Sequence, residues 1–222
     1  CIVSNELLDS FPVRRFTVQN RLLKELFVAL DSEGYFCEVP LDPSEILNDT
    51  NIPQIIQGLP DGFCGEVNLN INVWIDGLIK ALKRGFVLTI DYGYQSHELY
   101  SLKRRLGTLQ TYYYHTQGNN PYERIGKQDI TAHVNFTDVI ELGELQGLKP
   151  IGFESQAKFL KKLGLTHIIR QLRRKTLEIK EENANRIGML ELLKLEGLGG
   201  FKVLIQETNT EVESLNDLFP SE

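Results

Sequence analysis

The sequence predicts an α/β protein built on an open sheet, at least part of it parallel. Three observations carry this reading. Short apolar runs alternate with amphipathic stretches, the run "GFVLTID" directly follows a helical segment, and two of the apolar runs stop abruptly at carboxylates. A continuous apolar run after a helix is how a parallel strand covered on both faces reads. Strands alternating with helices argue for an open α/β sheet.

Taken in order, "CIVSN" is a short buried strand that ends at Asn5, Glu6 and Asp9. "VRRFTVQ", "LLKELFVAL" and "YFCEV" are rich in β-branched and aromatic residues and are separated by turn signals. They predict an antiparallel excursion over residues 13–39. "LDPSEIL" opens a helix with Ser44 as its cap. From Glu66 to Gly85 a strand-like alternation competes with helical spacing, and only the helical series runs to the end, with Gly85 as its stop. "GFVLTIDYGY" is the second strand to end in a carboxylate, Asp91. The polar, tyrosine-rich segment 95–126 is too long for a plain connection, which marks it for function. "DITAHVNFTDVIELGELQG" reads as helical, "KPIGFES" as a strand and "QAKFLKKLGL" as a helix. Residues 166–196 form a long charged helical stretch, "GGFKVLIQET" a last strand, and 209–222 a weakly ordered tail.

A chain of 222 residues can bury one sizeable core, here one domain with an insertion. The net charge of −6 argues against a general nucleic-acid binder. No apolar stretch has the length of a membrane span. Three cysteines, Cys1, Cys37 and Cys64, with no CxxC pair, point to a reducing compartment. The abrupt start at Cys1 is expected of a piece of a longer chain.

In open α/β sheets ligands bind beyond the carboxyl ends of the strands. Asn5, Glu6 and Asp9 mark one such rim, Asp91 and Tyr92 another. A carboxylate at a buried strand end is costly unless paired, which singles out Glu6. Asp9 and Asn5 also suit a turn cap, and Asp91 is either an acceptor ligand or a cap. Tyr92 either stacks on substrate or fills the core. His115 follows three tyrosines in the polar segment. Asp129 and His133, four apart, suit a shared helix face; without a third ligand they predict no metal site. His133 also suits a general base. The basic run from Lys158 to Lys180 reads as a solvated helix face.

Four strings in order, "SNELLDSFPV", "LTIDYGY", "GTLQTYYYH" and "GKQDITAHVNF", resemble the MidA-like family of S-adenosylmethionine-dependent methyltransferases. The similarity runs over nearly the whole chain. It implies the C-terminal part of a Rossmann-like class I methyltransferase domain, with residues 1–222 on the acceptor side. The family's cofactor-binding glycine loop would lie upstream of residue 1. The cluster Gly197, Gly199 and Gly200 precedes a strand and opens no helix, so it does not serve as that loop. Asn135 stands where the family usually has aspartate.

The family's mitochondrial members methylate a protein arginine during assembly of respiratory complex I. The resemblance therefore implies S-adenosyl-L-methionine as cofactor and an arginine-bearing protein as substrate, with no nucleic-acid or membrane partner and homodimerisation left open. The setting is cytoplasmic in a bacterium or mitochondrial in a eukaryote. The site expected is Glu6, Asp9 and His133 as catalytic groups, Asn5 beside the cofactor, and Asp91, Tyr92, His115 and Asp129 toward substrate. This chain alone is expected to be inactive. Two rivals stand: a non-catalytic assembly factor that only binds a respiratory subunit, and a methyltransferase for a small molecule. An intact upstream glycine loop favours an enzyme over the first, and the long insertions after both carboxylate-bearing strands argue against the second.

Overall fold

The computed structural model describes residues 1–114, 116–172 and 179–218. The fold is mixed α/β. In chain order its elements are β1 (Ile2–Asn5), β2 (Arg14–Gln19), β3 (Leu22–Leu30), β4 (Phe36–Leu41), α1 (Glu45–Asn48), α2 (Ile52–Ile55), β5 (Cys64–Val67), α3 (Ile71–Ala81), β6 (Gly85–Asp91) and β7 (Gly93–Tyr94). There follow α4 (Ser96–Leu99), β8 (Gln110–Tyr113), β9 (Thr116–Gly118), β10 (Asp129–Thr131), β11 (Val134–Asn135) and α5 (Phe136–Leu145). The chain ends with β12 (Lys149–Ser155), α6 (Gln156–Lys162), α7 (Leu165–Leu172), α8 (Ile179–Glu191), β13 (Lys202–Thr208) and α9 (Leu215–Leu218). His115, part of the basic run and the last four residues of the tail lie outside the described residues.

The chain divides into two compact units. The first gathers residues 1–6, 75–92 and 140–222, the second 7–74 and 93–139, so the backbone passes from one to the other four times.

In the first unit a four-stranded sheet runs β1-β6-β13-β12. β1 and β6 are parallel, with Ile2 opposite Val87 and Asn5 opposite Ile90. β13 is antiparallel to both of its neighbours. Its residues from Val203 to Thr208 are all buried, and the run "VLI" at their start is apolar throughout. Val203 and Ile205 pack with Ile151, Phe159 and Leu215, and Phe86, Leu88 and Ile90 lie against them. Gly152 admits Leu215, because a Cβ there would sit 2.2 Å from the leucine side chain. Among the described residues no strand pairs with the outer edge of β1, where Val3 is 59% exposed.

The second unit holds an antiparallel sheet β4-β3-β2-β5, a three-stranded sheet β10-β8-β9 and a parallel pair β7-β11. The meander expected over 13–39 continues to Leu41, and β5 closes it against β2. Its core is aromatic: Phe16 lies 6.3 Å from Phe63 and 5.8 Å from Tyr100 between ring centroids. Leu47 and Ile52 belong to the same cluster. Ser44 caps α1 as expected, its side chain accepting from the Leu47 amide.

Two stretches differ from the sequence reading. Glu66 and Val67, expected in a helix, end the strand β5 that pairs with β2, and the helical period holds only from Ile71. Gly85 does not stop that helix; it opens β6 with a φ of +140°. Similarly, Asp129–Thr131 and Val134–Asn135 are strands, and helix starts only at Phe136. Asn135 Oδ1 accepts from the Thr137 amide at 3.1 Å and so caps α5. Asp129 and His133 therefore share no helix face.

The β7-β11 pair requires glycine at 93, where a Cβ would lie 2.1 Å from the Val134 carbonyl oxygen. Backbone cannot swing aside as a side chain does. Gly93→Ala is expected to cost about 1–3 kcal/mol, read as a melting temperature several degrees lower; an unchanged melt would contradict the close approach.

Candidate active site

In the first unit, β1 and β6 end side by side. The Glu6 amide donates to the Ile90 carbonyl at 2.9 Å, extending the parallel ladder by one residue. Glu6 itself has a φ of 47°, a left-handed conformation that a glutamate seldom adopts. Its side chain is exposed, and Asn5 Nδ2 donates to its Oε1 at 3.2 Å. Strained backbone beside an exposed carboxylate is a combination found at working sites.

Asp91 is placed differently. It is fully buried, and its Oδ1 accepts from the Tyr92 amide at 2.9 Å. That is the position of a cap inside the strand end, set next to an open tip at Glu6. The Tyr92 ring packs on Phe201, with centroids 5.4 Å apart.

The second unit holds Asp9, Asp129 and His133. Asp9 is buried in a single 3-10 turn, Leu8–Ser10, and its carbonyl accepts from the Ala132 amide at 3.0 Å. The turn that carries Asp9 is thus tied to the residue preceding His133. Asp129 is exposed at the start of β10, opposite Tyr112. Among the described residues no three His, Cys, Asp or Glu side chains gather as metal ligands would.

The surroundings of His133 come from residues that no motif announced. Its amide donates to Thr108 Oγ1 at 3.0 Å. Both the Thr108 amide and hydroxyl donate to Glu66 Oε2, at 2.8 and 3.0 Å. Gly107 makes room for this, since a Cβ there would lie 2.2 Å from the Glu66 carboxylate. The His133 ring lies 5.4 Å from Tyr94, and the Arg104 guanidinium stacks 3.4 Å from the centre of that tyrosine. Burial, and then the Arg104 charge, push the imidazole down to about 4. The one available signal was Glu66, a carboxylate inside the strand-like "CGEV"; nothing distinguished Arg104 from its neighbours in "KRR".

Polar contacts also fasten the long segment 95–126. Tyr122 donates to Glu38 Oε1 at 2.8 Å, and Arg15 pairs with the same oxygen. Burial together with the Glu38 carboxylate raises the Tyr122 phenol to about 12.

The sheet that carries the ends of β1 and β6 combines that parallel pair with the reversed strand β13. Residues 1–154 match the family described as "putative S-adenosyl-L-methionine-dependent methyltransferase", and the chain belongs to that family. This is the family that the four sequence strings resemble. The chain is 24% identical over 172 residues to the mitochondrial protein arginine methyltransferase NDUFAF7 homolog of Caenorhabditis elegans, covering 77% of this chain and 38% of that protein. A "likely methyl transferase" from Burkholderia thailandensis, solved with S-adenosyl-homocysteine bound, superposes with a TM-score of 0.80 at 30% identity. That match covers 92% of this chain and 52% of the other. An uncharacterized protein of the same superfamily and organism gives 0.81 at 28% identity, over 95% and 56% of the two chains. The chain thus spans little more than half of these solved structures and less of the worm protein.

The low position of the His133 imidazole has a consequence for stability. A histidine with an ordinary unfolded value near 6.5 and a folded value near 4 binds its proton more readily when unfolded. Stability contributed by the neutral ring is therefore complete above about pH 6.5 and is lost progressively as the pH falls toward 4, by at most about 1.4 kcal/mol per pH unit. Urea melts across that range, with His133→Gln flattening the dependence, check this; an imidazole that titrates near 6.5 by NMR would refute it.

Proposed function

We propose that this chain is the C-terminal, acceptor-side part of a Rossmann-like class I methyltransferase that uses S-adenosyl-L-methionine and methylates a protein arginine. The observation that carries the reading is Glu6: an exposed carboxylate held in a left-handed conformation at the end of a parallel strand. The sheet order supports it, since β1, β6 and β12 run the same way and β13 alone is reversed between β6 and β12. The open edge of β1 is where further parallel strands of such a sheet would pair. The worm relative's name supports arginine as the acceptor.

The residues present fit the reacting end of the cofactor and not its nucleoside. Asn5 and Glu6 offer an exposed amide and carboxylate at the strand tip, groups able to lie beside a sulfonium. The glycines at 197–200 form a tight turn instead: a Cβ on Gly199 or Gly200 would strike the backbone of residues 193–195, and the turn leads into β13. When bound, S-adenosylmethionine supplies an electrophilic methyl group. Glu6 then has two tasks. It binds the acceptor guanidinium in a charge-assisted, planar contact, and it draws positive charge away from the nitrogen that attacks. Positioning of this kind supplies much of the acceleration in a displacement. The transfer forms an N–C bond, breaks a C–S bond and releases one proton from the guanidinium. Water at the exposed strand tip accepts that proton.

Glu6→Gln in the parent polypeptide should lower turnover about 10–100-fold, the worth of one charge-assisted contact, while cofactor affinity stays level. Mass spectrometry of an arginine peptide gives the first quantity and calorimetry the second; unchanged turnover would remove Glu6 from the mechanism. The 222-residue chain by itself should bind S-adenosylmethionine more weakly than about 1 mM. A micromolar constant would instead put the nucleoside site within these residues.

A further inference from the structure

Within the polar segment that its length marked for function, residues 102–106 read "LKRRL". In the second unit this stretch is fastened through its backbone. The Arg105 carbonyl accepts from the Cys64 amide at 2.8 Å, and the Arg104 carbonyl accepts from the Gly107 amide at 2.9 Å. Arg105 Nη2 donates to the Asp61 carbonyl at 3.0 Å, while Asp61 Oδ1 accepts from the Arg21 amide at 2.8 Å. These bonds set the stretch against an open groove of about 720 Å³, whose lining includes Arg21, Leu59, Pro60, Asp61 and Leu102.

The side chains at this groove are left without the partners that their chemistry favours. Leu102 is 70% exposed and Leu106 80%. Other basic side chains of the unit are paired: Arg14 with Glu25, Arg15 with Glu38 and Lys24 with Asp42. Among the described residues Arg21, Lys103 and Arg105 pair with no carboxylate. Arg104 is not part of this group, since its guanidinium stacks on the Tyr94 ring. In a chain of net charge −6, three free cations around exposed leucines are a local exception. An apolar side chain flanked by carboxylates would satisfy both needs at once.

We propose that this groove docks an acidic segment of a partner protein. An apolar side chain of that segment sits against Leu102, and its carboxylates meet Arg21, Lys103 and Arg105. The concave shape admits a length of chain and not a bilayer, and lipid-binding patches carry about 4–8 basic residues, more than stand here. Duplex nucleic acid calls for a broader basic face. Because its backbone is already fastened, the stretch gives up little freedom on binding. This surface lies outside the methyltransferase reading and does not depend on it.

Fluorescence anisotropy with the full chain tests the surface, the probe being a labelled peptide of glutamates flanking a central Leu-Leu pair. Saturable binding is expected, weakening about tenfold between roughly 0.05 and 0.5 M salt. Lys103→Glu, which breaks no bond in the structure, should weaken it about 2–10-fold. Leu102→Ala should do so about 3–10-fold. The same peptide with lysine in place of glutamate should not bind. Both variants should melt with the parent, so a loss of affinity that tracks a loss of melting temperature counts against the proposal. Absence of saturable binding, or equal affinity for the parent and Lys103→Glu, overturns it. Tighter binding to phosphatidylcholine vesicles containing phosphatidylserine overturns it as well, and makes the patch a membrane surface.

Discussion

The bond from the Glu6 amide to the Ile90 carbonyl sets the geometry on which the acceptor reading rests. A parallel ladder leaves each backbone group needing a partner, and this bond satisfies one more than the strand itself supplies. Past it the chain must leave the sheet sharply, which it does by taking a positive φ at Glu6. For a residue with a Cβ that conformation costs about 1–2 kcal/mol. A glycine would avoid the cost and lose the carboxylate. One strand over, Asp91 turns inward and closes its own strand end, so that of two adjacent acidic tips one is open and one shut.

In the second unit the constraint is the handling of buried charge. Glu25 is 1% exposed and takes Arg14 at 3.1 Å and the Ser44 amide at 2.9 Å. Glu66 is served by Thr108 and faced by Arg15. Leaving such a carboxylate unpartnered is far more costly than the net gain from pairing it. Consequently each one dictates where a neighbouring segment must run. Glu25 fixes the start of α1, Glu66 fixes the turn at Gly107 and Thr108, and the less buried Glu38 holds Tyr122. The long polar connection is thus fastened at named points by hydrogen bonds, with little apolar core of its own.

Much of this was legible in the sequence. The strands of the meander, β6, β12 and β13 follow from alternation and apolar runs, and the two acidic strand ends were visible as breaks in those runs. The failures share a cause. Glu66–Val67 and Asp129–Asn135 carry spacing that suits a helix locally, and pairing with distant strands overrides it. No local pattern reports that Gly93 must meet Val134 or that Thr131 will face Gln110. For the site, the exposure of Glu6 and the burial of Asp91 could not be told apart, because both read as an acid after an apolar strand. The partners of His133 were hidden for the same reason: Arg104, Thr108 and Glu66 lie 25 or more residues away in sequence.

The four passages of the backbone between the two units have a practical meaning for anyone who dissects the molecule. Neither unit is a continuous stretch: one is assembled from three lengths of chain and the other from two. No stop codon or single truncation can release either half intact. A protease that nicks the loop between β9 and β10 leaves two fragments, each holding parts of both halves.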